Sequence, residues 1–263
     1  MASKAVLILI DGMRPDGVQR CGEAFPKELV REGSACFQGR TAMPSITLPC
    51  HASLFFSVDP ERHGILTNEW RPMARPIDSL GDVTARYFKR AAMFYNWEPL
   101  RDLNRPGSLC YSHFQTLDLP WEKILESERD MTRLAVDYLQ KEEPDFLFLY
   151  LGGVDNTGHQ FGWMTDKYLR ALANAWQCVK QVKESLPQGY HLVVTADHGG
   201  HDRDHGLDIP EDMTIPLFFW GPAFAPGKEL ENVSIKDIAP TIAYLMGMRC
   251  PPQWEGRNVL QDQ

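Results

Sequence analysis

Five short apolar runs, none of which alternates between apolar and polar residues, constrain the fold of this chain more than any other feature of its sequence. Such runs are typical of strands that are buried on both faces, as in a parallel sheet that is covered by helices. The runs occupy residues 5–10, 91–95, 146–151, 192–195 and 215–220.

Helix-like stretches lie between these runs. They span about 121–142, 166–186 and 235–247, and Ser234 and Gly247 fit the start and the end of the last one. The alternation of strands and helices predicts an α/β domain of three layers, in which a mostly parallel central sheet carries helices on both faces.

The length of 263 residues suits one large domain, so we predict a single domain over residues 1–263. The segment from about 96 to 120 is irregular and contains Pro99, Pro106 and Gly107. Two interpretations stay open for this segment: a small cap or lid over a site, and an ordinary surface loop.

The charge balance limits the partners of the chain. With 27 basic and 35 acidic residues the net charge is −8, which argues against binding to nucleic-acid backbones, since these need a basic surface. A small anionic substrate is still compatible with this charge, because a bound metal ion can reverse the local field.

The N-terminal apolar run ends at Asp11 and Gly12 without a small-residue cleavage site, so we interpret it as a strand and not as a signal peptide. None of the apolar runs approaches the ~18 residues that a membrane span requires. The six cysteines show no C-x-x-C spacing, which favours reduced thiols. We therefore expect a cytoplasmic protein that makes no membrane contact.

Polar residues follow three of the apolar runs at the point where each run ends. Asp11 follows the first run directly, Asp155 lies shortly after the third, and Asp197 and His198 follow the fourth. Because ligands of open α/β sheets bind at the carboxyl ends of the strands, we expect these side chains to meet at one edge of the sheet. Each motif alone could also be a turn, a helix start or a solvated loop.

Two more histidine motifs complete a set of metal ligands. His159 lies four residues after Asp155, a spacing that brings both onto one helical face, and His205 lies in a histidine-rich loop. Carboxylates and imidazoles are ligands that zinc accepts where thiolates are absent, and six of them suit two ions. Two divalent cations would also offset the repulsion among the carboxylates and admit an anionic phosphate ester. The six residues are Asp11, Asp155, His159, Asp197, His198 and His205.

Thr47 is a candidate nucleophile. It lies in the segment 43–54, which begins like a turn and continues like a helix. A threonine hydroxyl becomes a good nucleophile when a metal lowers its pKa, and the N–H groups at a helix start would favour phosphate binding. The alternative is that Thr47 only caps the helix.

Taken in order, these motifs resemble the alkaline phosphatase superfamily, and most closely its nucleotide pyrophosphatase/phosphodiesterase branch. The resemblance extends from residue 9 to about 258, which is nearly the whole chain. The matching segments are 9–14, 44–49, 60–65 with Asn68, 155–159, 195–199, 205–206 and 255–258.

The resemblance implies a role for each matching residue. Thr47 would attack phosphorus and form a phosphothreonine intermediate, and Asn68 would donate a hydrogen bond to a phosphoryl oxygen. Two divalent ions, zinc or alternatively manganese, would be bound. Asp11, Thr47, Asp197 and His198 would surround one ion, and Asp155, His159 and His205 would bind the other.

Three positions qualify this assignment. His201 competes with His205, which we prefer because the His-Gly pair and the later Ile-Pro at 215–216 match the branch. Leu48 stands where nucleotide-cleaving members often have an aromatic residue, which weakens the prediction of a nucleotide substrate. Cys50 stands where asparagine is common, and the sequence gives it no role.

The preferred function is a metal-dependent phosphoric ester hydrolase that acts on a small-molecule phosphodiester or pyrophosphate. Monoesterases of the superfamily usually have an arginine close after the nucleophile, whereas the first arginine after Thr47 is Arg62. A phosphomonoesterase, a phosphomutase and a phosphonate hydrolase stay open as alternatives. A sulfatase would need a Cys or Ser nucleophile in C/S-x-P-x-R, and a metal-binding module without activity would have no use for Thr47 and Asn68.

Overall fold

The computed structural model describes residues 3–262, and its centre is one eight-stranded sheet. The strand order is β4-β3-β5-β1-β6-β7-β2-β8, and every pairing is parallel except the two that β7 makes. The predicted mostly parallel sheet is therefore confirmed. The strands are β1 (Lys4–Ile10), β2 (Ser34–Arg40), β3 (Ala91–Tyr95), β4 (Tyr111–Phe114), β5 (Phe146–Leu151), β6 (Tyr190–Thr195), β7 (Thr214–Trp220) and β8 (Lys228–Glu229).

The five predicted strands correspond to β1, β3, β5, β6 and β7, and the sequence did not reveal the other three. These three, β2, β4 and β8, lie at or next to the edges of the sheet. Edge strands bury only part of their surface, so their sequences lack a continuous apolar run. Strand β4, for example, is largely exposed along its four residues.

Helices form two separate layers. The helices α6, α7 and α8 pack against one another, and α3, α5 and α10 form a second group. Within residues 3–262 none of the helices is long and apolar enough to cross a membrane. The helices are α1 (Pro15–Arg20), α2 (Phe25–Glu32), α3 (Thr47–Phe56), α4 (Pro60–His63), α5 (Leu80–Arg86), α6 (Trp121–Glu142), α7 (Gly153–Phe161), α8 (Asp166–Glu184), α9 (Pro210–Met213) and α10 (Ile238–Leu245).

The long predicted helices match the structure closely. The prediction 121–142 coincides with α6, and 166–186 ends two residues after α8 does. The prediction 235–247 corresponds to a 3₁₀ turn followed by α10, and the side chain of Ser234 caps its start. Amphipathic periodicity over many residues is the strongest local signal in a sequence, which explains this agreement.

The irregular segment 96–120 contains two short elements. A 3₁₀ helix covers Glu98–Leu103, and strand β4 adds to the sheet beside β3. Part of the segment is therefore an edge strand of the main sheet. A role for the segment as a cap or lid stays a prediction.

Trp176 of α8 fastens the helical layer to the sheet. It is fully buried, and its ring packs edge-on against Phe218 of β7 with a centroid distance of 5.0 Å. On its other side the ring lies 6.4 Å from that of Phe25 in α2. One aromatic side chain thus connects two helices with the sheet.

We predict that Trp176→Ala lowers the free energy of unfolding by about 3–5 kcal/mol, because a large cavity replaces the ring. Urea denaturation measures this loss, and Tyr244→Ala, at a tyrosine that is 59% exposed, is the control. The control should change stability by no more than about 0.5 kcal/mol. Equal effects of the two substitutions would contradict the proposed role of Trp176.

Candidate active site

Three carboxylates meet at the carboxyl edge of the sheet, as the sequence predicted. Strand β1 lies between β5 and β6 and is parallel to both. Asp11 follows β1 directly, Asp155 lies in the first turn of α7 after β5, and Asp197 lies two residues beyond the end of β6. Neighbouring parallel strands therefore bring these side chains together.

One group of ligand atoms consists of Asp11, Asp197 and His198. The Nε2 atom of His198 lies 3.3 Å from Oδ1 of Asp11 and 3.4 Å from Oδ2 of Asp197. All three side chains are buried, and their ligand atoms lie within 4.8 Å of one another. Such a group can bind a divalent cation.

A second group consists of Asp155, His198 and His205, so His198 belongs to both. Nε2 of His205 lies 3.6 Å from Oδ1 of Asp155, and Nε2 of His159 lies 3.4 Å from the same oxygen. The rings of His198 and His205 stack with a centroid distance of 3.7 Å. The structure thus brings the six predicted Asp and His ligands to one place, with His159 at the outer side.

The backbone orients the three histidines of these groups. Each Nδ1 atom faces a carbonyl oxygen, which can only accept, so Nδ1 carries a proton and Nε2 is the nitrogen that is left to bind a metal ion. This second hydrogen bond is typical of histidines that bind metal ions through Nε2. The acceptors are the carbonyl oxygens of Arg203 for His159 (2.9 Å), Gly199 for His198 (2.8 Å) and Ser45 for His205 (2.8 Å).

His201 has a different environment. Its Nδ1 lies 2.8 Å from Oδ1 of Asp212, and this hydrogen bond raises its pKa. Oδ2 of Asp212 accepts hydrogen bonds from the N–H groups of Gly206 and Leu207, both at 2.9 Å. His201 therefore braces the loop that carries His205, and the geometry favours His205 as the ligand.

Each of the three carboxylates presents an oxygen that has no partner. Oδ1 of Asp197 accepts from the N–H groups of Gly12 (3.2 Å) and His198 (3.0 Å). The hydroxyl of Tyr150 donates a hydrogen bond to Oδ2 of Asp11. The other oxygens, Oδ1 of Asp11, Oδ1 of Asp155 and Oδ2 of Asp197, are buried and without a hydrogen bond among the described residues. Unpartnered buried anions are costly, so this donor set fits divalent cations.

Burial and mutual repulsion shift the pKa values of these groups. Burial, followed by repulsion from Asp155, raises the pKa of Asp197 to about 8. Burial, together with Asp197 and Asp155, holds the pKa of Asp11 well above its usual range. Burial lowers the pKa of His205 to about 2, so its imidazole is neutral and free to act as a ligand.

Thr47 reaches the same place from a fourth strand. Strand β2 runs in the same direction as β1, and α3 begins at Thr47 soon after β2 ends. The N-cap position of α3 is taken by Ile46, and among the described residues no side chain caps this helix, so the alternative of Thr47 as a helix cap is wrong. Instead Oγ1 of Thr47 lies 3.2 Å from Nε2 of His198.

Asn68 lies beside the nucleophile candidate. Its Oδ1 accepts a hydrogen bond from the N–H group of Leu48 at 3.0 Å, one residue after Thr47. Leu48 itself is fully buried and offers no surface on which a base could stack. Cys50 is also fully buried, and its Sγ lies 3.6 Å from the carbonyl oxygens of Ala42 and Pro44.

The sequence missed two residues that underlie the site, Tyr150 and His51. Nδ1 of His51 lies 2.8 Å from the carbonyl oxygen of Thr47 and 3.4 Å from Oδ2 of Asp197. A weak signal existed for both: a histidine four residues after Thr47 shares its helical face, and a tyrosine in a buried strand needs a partner for its hydroxyl.

A cavity of about 450 Å³ lies beside α7, the helix of Asp155 and His159. Its walls include Trp97, Phe114 and Leu117 from the segment 96–120. On α7 the lining residues are Asn156 and Gln160, each next in sequence to a predicted ligand. A larger cavity of about 660 Å³ contains none of the predicted ligands in its lining.

The pKa shifts predict how stability depends on pH in the metal-free protein. Asp197 keeps its proton up to pH about 8 when folded but loses it near pH 3.9 when unfolded, so the folded state binds more protons in between. This difference makes stability fall as pH rises. Below pH about 6.5 the buried neutral histidines His51 and His205 have the opposite effect, so the fall is cleanest from pH about 6.5 to 8.

The measurement is the melting temperature in excess chelator over that pH range. Asp197→Asn keeps the acceptor for Gly12 and His198 but cannot ionise, so its melting temperature should fall less with pH than that of the wild type. Added zinc should restore stability at the upper end of the range. A wild-type melting temperature that rises with pH there, or equal slopes for both proteins, would count against the arrangement described.

Comparison with known proteins gives the family. The sequence profile of the type I phosphodiesterase/nucleotide pyrophosphatase family matches residues 5–214. The human catalytic subunit of GPI ethanolamine phosphate transferase 3 is 31% identical over 279 residues, which cover 95% of this chain and 25% of that protein. Venom phosphodiesterase 2 of Crotalus adamanteus is 26% identical over 222 residues, with coverage of 75% and 27%.

Among solved structures, a murine ectonucleotide pyrophosphatase/phosphodiesterase 5 is similar with a TM-score of 0.79 at 15% identity. The match covers 98% of this chain and 99% of the murine one, and at this identity it shows a shared fold. The chain spans between 16% and 31% of the length of several curated relatives that it matches. Because the family profile covers well over half of the chain, this protein belongs to the type I phosphodiesterase/nucleotide pyrophosphatase family of the alkaline phosphatase superfamily.

Proposed function

We propose that this protein is a metal-dependent hydrolase of small-molecule phosphoric esters, and specifically a phosphodiesterase with Thr47 as its nucleophile. One observation carries the proposal: Oγ1 of Thr47 lies 3.2 Å from Nε2 of His198, which in turn lies beside oxygens of Asp11 and Asp197 that have no hydrogen bond from any described residue. Family membership supports the reaction class.

The ligand groups support a site for two divalent cations, with zinc preferred and manganese as the alternative. When bound, such ions would lower the pKa of the threonine hydroxyl and neutralise the carboxylates. His198 belongs to both groups of ligand atoms, so it could contact either position. The proposed ligands are Asp11, Thr47, Asp197 and His198 on one side, and Asp155, His159 and His205 on the other.

Thr47 performs the covalent step. Its oxygen forms a bond to phosphorus while the bond from phosphorus to the leaving oxygen breaks, and the leaving alcohol takes up a proton. Water then cleaves the phosphothreonine ester and restores the hydroxyl. Two features of the chain would stabilise the negative charge on the phosphoryl oxygens: the N-terminus of α3 and the side-chain amide of Asn68, whose Oδ1 accepts a hydrogen bond from Leu48.

A threonine-to-alanine variant of murine ectonucleotide pyrophosphatase/phosphodiesterase 5 supports the proposal that Thr47 is the nucleophile. Its structure is that of an inactive form, in which a threonine is replaced by alanine, in complex with AMP. The removal of one hydroxyl accompanies inactivity in that protein, which is what a nucleophilic threonine would produce.

The distribution of positive charge favours diesters over monoesters. Arg62, the first arginine after Thr47, forms an ion pair with Glu255 at 2.8 Å on the surface. The polar contacts of Thr47 are with His198 and His51, neither of which brings a fixed positive charge. A diester carries one negative charge fewer than a monoester dianion and therefore needs less compensation. Phosphomonoesterase, phosphomutase and phosphonate hydrolase activities are the alternatives.

The cavity beside α7 supports a site for the organic part of the substrate. Trp97, Phe114 and Leu117 supply apolar surface, and Asn156 supplies a polar group at the edge next to Asp155. Small-molecule sites combine apolar surface with polar groups that fix the orientation of the ligand, and polar side chains such as Asn96, Asp118 and Gln160 also line this cavity. In this proposal the segment 96–120 forms a wall of the site.

We predict that the zinc-loaded protein hydrolyses bis-(p-nitrophenyl) phosphate with a kcat/KM at least about tenfold above that for p-nitrophenyl phosphate, a difference of ~1.4 kcal/mol. Arg62→Ala is the matched control. It should leave this ratio unchanged, since Arg62 is paired with Glu255. A preference for the monoester would reassign the protein as a phosphomonoesterase.

For Thr47→Ala we predict a loss of at least ~10³ in kcat, which corresponds to about 4 kcal/mol in the activation barrier. Thr47→Ser keeps the oxygen and should retain measurable activity. Thr241→Ala is the control. Thr241 is a buried threonine of α10, a different helix from α3, and its hydroxyl donates to the carbonyl oxygen of Asp237 at 2.7 Å.

Turnover and melting temperature are measured on each of these variants. The Thr47 variants should stay folded, and mass spectrometry of the acid-quenched wild-type reaction should detect phosphate on Thr47. A folded Thr47→Ala variant with wild-type turnover would rule out the nucleophile assignment.

A further inference from the structure

Two buried side chains, Tyr150 and His51, lie beneath the ligands Asp11, Thr47 and Asp197. We propose that they are a positioning pair that sets the cation affinity of the nucleophile-side group, an inference that rests on the proposed function. Neither residue touches the reacting atoms. The argument concerns which oxygen each ligand presents and how far it can move.

Tyr150 determines which oxygen of Asp11 is free. Its hydroxyl donates a hydrogen bond to Oδ2, and a carboxylate can only accept. Oδ1 has no hydrogen-bond partner in the part of the chain that the structure describes, and it lies 3.3 Å from Nε2 of His198. Asp11 therefore presents a single oxygen to the group, whereas a carboxylate that was free to rotate would have no fixed orientation.

Asp11 is fastened to β5 at two points. Its backbone N–H donates to the carbonyl oxygen of Leu151 at 3.0 Å. Its side chain accepts a hydrogen bond from Tyr150, the residue before Leu151 in β5. Leu9 and Tyr150 are partners in the register of β1 and β5. Both hydrogen bonds come from the central strand β5, so they fix the position and the orientation of the Asp11 carboxylate relative to that strand.

His51 connects the nucleophile with the second carboxylate. Its Nδ1 donates to the carbonyl oxygen of Thr47 at 2.8 Å and lies 3.4 Å from Oδ2 of Asp197. Its ring packs against that of Tyr150 with a centroid distance of 5.3 Å and an interplanar angle of 65°. The pair therefore hydrogen-bonds two of the four proposed ligands on this side, Asp11 and Thr47, and lies against a third, Asp197.

A purely structural role must be distinguished from a positioning role, and the chain offers a matched control. Tyr190 is also a fully buried tyrosine of a central strand, and its hydroxyl donates to the carbonyl oxygen of Pro144 at 2.6 Å. It stands at the start of β6, whereas the ligands Asp197 and His198 follow the end of that strand. Removal of either hydroxyl should cost stability, but only Tyr150 faces the site.

The experiment measures the zinc affinity of metal-free Tyr150→Phe, Tyr190→Phe and wild-type proteins by competition with a chromogenic chelator. We expect Tyr150→Phe to bind zinc between about 10-fold and 100-fold more weakly than the wild type, the range typical of hydrogen-bond partners of metal ligands. Tyr190→Phe should bind zinc like the wild type. Equal affinity in Tyr150→Phe and the wild type would overturn the proposal, as would equal weakening in both variants.

A second pair of variants tests His51. His51→Leu removes the donor to Thr47 and should weaken zinc binding, while His51→Gln keeps an N–H donor and should recover part of the affinity. No recovery in His51→Gln relative to His51→Leu would exclude His51 from the pair.

If Tyr150→Phe folds only with zinc present, the zinc concentration that restores its circular dichroism spectrum provides the same comparison with Tyr190→Phe.

Turnover with bis-(p-nitrophenyl) phosphate separates this proposal from the proposed function. Saturating zinc should restore most of the activity of Tyr150→Phe, because the positioning pair sets the fraction of protein molecules that bind zinc. If Tyr150→Phe binds zinc more weakly but the wild-type protein hydrolyses no phosphate ester, the positioning role stands and the proposed function is refuted. Unchanged zinc binding with normal hydrolysis would do the reverse.

Discussion

Repulsion among three carboxylates at one sheet edge is the constraint on which the rest of the site depends. Asp11, Asp155 and Asp197 follow neighbouring parallel strands, so the topology itself places like charges side by side. Asp11 and Asp197 are buried and Asp155 is partly buried, so water screens these charges only weakly. The structure responds with imidazoles, one tyrosine hydroxyl and backbone N–H groups, but within residues 3–262 each carboxylate keeps one oxygen without a hydrogen bond. Divalent cations are the compensation that this chemistry accepts most readily.

The site is oriented mainly by the backbone. Carbonyl oxygens fix the tautomers of His159, His198 and His205, and backbone N–H groups take one oxygen of Asp197. The strands that lead to these backbone groups, β1, β5 and β6, are buried along almost their whole length. A ligand set that is orientated in this way before an ion binds loses little conformational entropy when it does.

Much of this arrangement could be predicted from the sequence, for definite reasons. The apolar runs identified five of the eight described strands, and helical periodicity identified the long helix α6. Both burial on two faces and periodicity leave a local signal in the sequence. The ends of those runs also located Asp11 and Asp197, because a polar residue after a buried strand must lie at the edge of a sheet. Strand β4 escaped prediction because its residues are mostly exposed.

The sequence by itself determined the class of fold, the edge at which the site would form and the residue types available there. Only the tertiary structure decided that His205 and not His201 faces Asp155, that His198 belongs to both ligand groups, and that Tyr150 and Asp11, 139 residues apart, share a hydrogen bond. The physical reason is range: periodicity and turn chemistry act over a few residues. The choice between two histidines in one loop depends on which of them finds the carbonyl of Ser45, 160 residues away.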